Sequence, residues 1–109
     1  MLYKVNTMDR IPADFGFAIP LGEGEDVSTT ILEIPKGKRI TKHYHKKMEE
    51  IEIILEGKAM VNGVEKKKGD ISAWKTGEKH EYINNGPDTV RLLCVCIPKY
   101  DPSDSYEVK

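Results

Sequence analysis

Short apolar runs, each stopped within a few residues by a turn signal, constrain this chain more than any other feature. Thr29-Thr30-Ile31-Leu32-Glu33-Ile34 is rich in β-branched residues and closes on Pro35-Lys36-Gly37. Glu50 to Leu55 is rich in isoleucine and ends at Glu56-Gly57. Met60-Val61-Asn62-Gly63-Val64 sets Asn-Gly between apolar residues, the strongest short-range hairpin signal, because both turn positions need positive φ. Lys68-Gly69-Asp70 precedes Ile71-Ser72-Ala73-Trp74, and Asn84-Asn85-Gly86-Pro87-Asp88 precedes a last run from Thr89 to Ile97 that Pro98 stops. Strands this short and this regularly spaced predict an all-β sandwich or barrel, not a parallel sheet alternating with helices. Lys47 to Leu55 holds good helix formers. Its isoleucines make no helical stripe, however, and Gly57 follows at once, so it too reads as strand.

The 109 residues suffice for one domain with a modest core. Residues 1–28 read as an N-terminal arm with a candidate edge strand at Phe15-Gly16-Phe17-Ala18-Ile19, and Gly22 to Asp26 as a mobile loop. Residues 29–98 form the main body, and 99–109 a polar tail expected to pack loosely. Apolar residues make up 39% and charged residues 32%, so the core is small and association is favoured. A homodimer is expected, with the arm through Phe15 and Phe17 covering exposed strand edges. A net charge of −1 gives no general pull toward nucleic acid or a membrane surface. The lysines at 46–47 and 66–68 read as solvated turns. No window approaches the ~20 apolar residues of a membrane span, and Met1 to Asn6 lacks the pattern of a secretory signal. Cys94 and Cys96 would lie about 6–7 Å apart on one face of a strand, poor geometry for a mutual disulfide. They read as small buried hydrophobes or as thiols lining a pocket, and a reducing cytoplasm is the expected compartment.

The chain's histidines are His43, His45 and His80. Gly37 is followed after five residues by His43-Tyr44-His45, after four more by Glu50, and after six more by Gly57. Gly69 is followed after five residues by Lys75-Thr76-Gly77, then by His80 and Asn84. These two stretches resemble the paired signature motifs of the cupin family. The first agrees at every defined position, and the second departs once, with Lys75 where the family usually has proline. The resemblance implies a cupin or jelly-roll β-barrel with one divalent metal ion inside, held by His43, His45, Glu50 and His80. It also implies that Asn84 tethers a turn.

Side chains alternate across a strand, so His43 and His45 share a face and could grip one ion, while Tyr44 takes the other face. Glu49 is the neighbour most easily confused with Glu50; the spacing to Gly57 favours Glu50. Three imidazoles and a carboxylate suit Fe(II), Mn(II), Ni(II), Co(II), Zn(II) or Cu(II) without distinguishing them. Alternation places Val90, Leu92, Cys94 and Cys96 inward and Arg91 toward water, with Tyr82 on the face of His80. The pocket this describes is largely apolar and suits a small organic ligand. With no further histidine, acid–base work falls to Glu52, Tyr82 or metal-bound water. A metalloenzyme acting on a small oxygenated or sugar-like molecule is expected, with dioxygenase, isomerase and lyase chemistry all open. A non-catalytic binding or sensing module is the alternative, although sensors of this family usually carry a DNA-binding domain, for which this chain has no room.

Overall fold

The structure, a computed structural model, describes residues 9–109; the first eight residues of the arm lie outside the described residues. It is all strand. β1 (Ile11–Ala13), β2 (Gly16–Glu23), β3 (Ser28–Ile34), β5 (Glu49–Glu56), β8 (Ile71–Trp74) and β10 (Val90–Ile97) form one antiparallel sheet, ordered β1-β2-β3-β10-β5-β8. β4 (Arg39–Tyr44), β6 (Lys58–Val61), β7 (Val64–Lys67), β9 (His80–Ile83) and β11 (Tyr106–Glu107) form a second, ordered β11-β4-β9-β6-β7. No described helix is long and apolar enough to cross a membrane.

The turns sit where the sequence puts them. Asn62 and Gly63 both take positive φ, at 48° and 80°, and join β6 to β7 as a tight hairpin. Gly57, between β5 and β6, has a φ of 81°, and a Cβ there would meet the Thr89 carbonyl oxygen at 2.8 Å. A larger residue would be both strained and crowded. Residues 47–55, ambiguous by composition, lie mostly in β5 as extended strand. The segment 15–19 contributes to β2, which is not the outermost strand: β1 pairs with it on the far side. Gly22 and Glu23 belong to β2 as well, paired with Thr29 and Ser28.

The inward face changes character along its strands, and this change places the site. On β10, Val90 and Leu92 are fully buried among Ile34, Ile54, Val61 and Tyr82, an apolar cluster to which both sheets contribute. Two residues further on, the same face presents Cys94 and Cys96. On β5 the order runs the other way, Ile54 at the apolar end and Glu52 and Glu50 at the polar end. One end of the sandwich is therefore packed solid, and the other opens into a cavity of about 700 Å³. Arg91, expected to face water, is on the outer face but half-buried, with Nε 3.1 Å from Glu33 and Nη1 3.5 Å from Glu56.

The tail is tied down more firmly than its polar sequence suggests. β11 pairs with β4 across Tyr106–Tyr44 and Glu107–His43. Asp104 is buried, and its carboxylate accepts the backbone N–H groups of Lys46, Lys47 and Met48 at 2.8, 2.9 and 3.0 Å.

Candidate metal centre

His43 and His45 come from β4 and the turn after it, Glu50 from β5, and His80 from the start of β9. The structure brings these four residues together, with one donor atom from each and all donors within 4.8 Å of one another. Glu50 is buried at 7% exposure while Glu49 is exposed, so of the two adjacent carboxylates it is Glu50 that faces the histidines.

Each imidazole is oriented by the backbone. Nδ1 of His43 donates to Thr41 O at 2.8 Å, that of His45 to Asp104 O at 2.5 Å, and that of His80 to Glu78 O at 3.0 Å. Three Nδ1 donors spent on carbonyls leave three Nε2 atoms for the centre, the arrangement that fixes tautomer and ring direction in metal sites. His80 is also stacked on Trp74, with ring centroids 4.8 Å apart and planes 7° from parallel.

Nε2 of His45 tests whether these residues fit an ion. It is buried and lies 2.8 Å from Glu50 Oε1, yet makes no hydrogen bond of acceptable geometry. His80 Nε2 lies 3.0 Å from the same oxygen. A buried nitrogen with no hydrogen-bond partner is costly, and a cation at the centre of the four donors would satisfy it. The residues fit a divalent ion.

The electrostatics follow from this crowding. Burial raises the Glu50 carboxyl, but its contacts with His45 and His80 outweigh burial and hold it far below the usual carboxylate range. Burial opposes charge on His45, yet Glu50 and the Asp104 carbonyl raise it to about 9. For His80, Glu50 likewise outweighs burial and the shift is upward. His43 moves down, because burial and the two neighbouring rings outweigh its bond to Thr41.

Glu52 and Tyr82, the candidate proton-transfer residues, line the same cavity. Glu52 is 3% exposed and accepts the indole N–H of Trp74 at 2.7 Å. Burial and repulsion from Glu50 push it up to about 7, against the opposing pull of His80 and of hydrogen bonds from Trp74 and Tyr82. Burial and the Glu52 charge hold the Tyr82 hydroxyl protonated well above its ordinary range.

The sequence profile of the cupin domain matches residues 30–96, more than half of the chain. The chain belongs to the cupin family. No curated protein sequence matches it. Among solved structures it is similar to KdgF from Halomonas sp., at 17% identity and a TM-score of 0.82 over 94% of this chain and 97% of that one. A predicted oxalate decarboxylase from Thermotoga maritima gives 24% identity and 0.78, over 90% of this chain and 99% of that one. The polyketide cyclase RemF from Streptomyces resistomycificus gives 18% and 0.84, over 100% and 85%. At these identities the likeness shows the cupin fold alone.

The one departure from the cupin motifs has a local explanation. The Lys75 N–H, which a proline would lack, donates to Glu78 Oε1 at 2.9 Å, and Glu78 N–H returns to Lys75 O at 3.1 Å. Gly77 N–H then reaches His45 O at 2.6 Å and ties the second motif to the first. Asn84 is buried and tethers its turn through Ile34 O, Asp88 O and Gly86 N. Sequence reasoning missed Asp104 and Trp74, the residues that hold His45 and His80 in place. Asp101-Pro102-Ser103-Asp104 reads only as a turn, and nothing local in it points to a loop more than fifty residues away.

Proposed function

We propose that this cupin is a metal-dependent enzyme that moves a proton on a small oxygenated or sugar-like molecule, an isomerase or lyase by reaction class. The observation that carries this reading is Glu52: a buried carboxylate that lines the same cavity as the histidine cluster and is held in place by the Trp74 indole at 2.7 Å. A carboxylate fixed beside the place where a substrate would sit is the kind of general base that abstraction of a proton next to a carbonyl requires. An ion held by His43, His45, Glu50 and His80 would act as a Lewis acid on a substrate oxygen. Glu52 takes the proton from carbon and returns it, and Tyr82, which stays protonated, donates a hydrogen bond beside it. Leu32 and Phe15 supply apolar wall that limits water.

The proposal includes one divalent transition-metal ion per chain, a homodimer and a cytoplasmic setting. Two free thiols support the last, and an exposed apolar sheet face supports the dimer. The test is elemental analysis of protein purified without chelator, then a screen of sugar acids and other enolisable carbonyl compounds in heavy water. Deuterium entering a substrate, with loss of that exchange in Glu52→Gln at unchanged metal content, is the expected result. Oxygen uptake by iron-loaded protein would replace this reading with a dioxygenase. Tight binding without exchange or turnover would replace it with a binding module.

A further inference from the structure

Glu50 divides its two oxygens between different neighbours. Oε1 faces the histidines, 2.8 Å from His45 and 3.0 Å from His80. Oε2 faces the opposite way, toward β10, with Cys94 Sγ at 3.2 Å and Cys96 Sγ at 3.7 Å. The two sulfurs are 3.8 Å apart, and both residues are about 3% exposed at the cavity wall. The register explains why: Cys96 pairs with Glu50 and Cys94 with Glu52 on the adjacent strand. As thiols, both donate toward Glu50 Oε2, so all three groups already point at one spot. A disulfide would have to draw the sulfurs in to about 2.0 Å within one extended strand, where the geometry is poor.

We propose that Cys94, Cys96 and Glu50 Oε2 form a second metal site, for a thiophilic ion, with Glu50 as a carboxylate bridge to the histidine site. The spacing supports it. A tetrahedral ion with metal–sulfur bonds of about 2.3 Å and a metal–oxygen bond of about 2.0 Å sets its sulfurs about 3.8 Å apart and each sulfur about 3.5 Å from the oxygen. The three separations observed here bracket those values, so little must move for an ion to bind. Each thiol gives up its proton as its sulfur bonds the ion. Two thiolates therefore balance a divalent charge, and two protons pass to solvent. The fourth position opens on the cavity. Thiolate donors select softer ions than imidazoles and carboxylates do, so the two halves of the centre differ in preference: borderline ions among the histidines, and zinc, cadmium or cuprous ion between the thiols.

Cadmium is the probe, added to the reduced, intact chain. Wild-type protein is expected to take up about two cadmium ions per chain, with a thiolate-to-metal charge-transfer band in the near ultraviolet and a cadmium NMR signal in the range of sulfur ligation. The Cys94→Ser plus Cys96→Ser double variant should bind about one and lose both signatures. The His43→Ala plus His45→Ala double variant should lose one ion and keep both. Because the NMR signal is read on wild-type protein, the presence or absence of sulfur ligation is decided without any variant. A reduced wild-type protein that binds cadmium without a sulfur signature overturns the second site and leaves the histidine site standing. Sulfur ligation that vanishes with His43 and His45 overturns it as a separate half. Air-formed Cys94–Cys96 disulfide that survives cadmium and mild reductant overturns it in favour of a structural bond.

Discussion

His45 is held at one nitrogen by the Asp104 carbonyl and faces Glu50 with the other, and this decides how the site answers to pH. In metal-free protein its pKa is raised to about 9. A group raised on folding contributes stability fully below its unfolded value of about 6.5, and that contribution is lost as pH rises through about 9. An ion must displace this proton. Affinity for a divalent ion should therefore climb about tenfold per pH unit between about 7 and 9, beyond the point where an ordinary histidine would have levelled off. Competition against a chelator across that range measures the slope; a flat profile would show that Glu50 does not hold a proton on His45. The two adjacent carboxylates separate just as cleanly. Glu50→Gln should weaken metal binding by more than about 100-fold, the upper limit for losing a supporting partner. Glu49→Gln, at an exposed position, should leave it unchanged.

At the scale of elements, the tail around β11 is the segment whose role most exceeds its appearance. Asp104→Ala removes the acceptor of three backbone N–H groups and should cost about 1–3 kcal/mol, read as a lower urea midpoint. Burial raises the Asp104 carboxyl, but those N–H groups outweigh it and the net shift is downward. Its contribution is thus present above the unfolded value of about 3.9 and lost as pH falls through the lower folded one. The main strands were legible because their signals are local: alternation, β-branched runs and Asn62-Gly63 each act within a few residues. The approach of His43, His45, Glu50 and His80 was legible through motif spacing. Asp104 and Trp74 were not, because a hydrogen bond from residue 104 to the loop at 46–48, or an indole laid on His80, depends on how distant strands cross. The tail packs more tightly than its polar sequence suggests for the same reason: its carboxylate and carbonyl are spent inside.

For the whole molecule, the outer face of the larger sheet is the feature that asks for a partner. Ile51, Ile71 and Ile97 are 46%, 59% and 45% exposed. Ile51 lies between Val95 and Ala73 in the register, and Ile53 between Leu93 and Ile71, so the face is a continuous apolar field. In the proposed homodimer this face is the contact. Ile51→Lys with Ile71→Lys should convert the dimer to monomer in light scattering, and an unchanged mass would move the contact elsewhere. A different consequence follows from the bond between His45 and Asp104, which spans 59 residues of chain. Closing so long a loop costs entropy before the contact repays it, and the donors at 43–50 must also find His80. The centre is therefore expected to form late on the folding route. Metal bound there should act as a brake on the way out rather than a guide on the way in: saturating ion slows unfolding by the full binding advantage and leaves the refolding rate where it was. Stopped-flow mixing with and without chelator separates the two limbs, and faster refolding with metal would place the site in the nucleus instead.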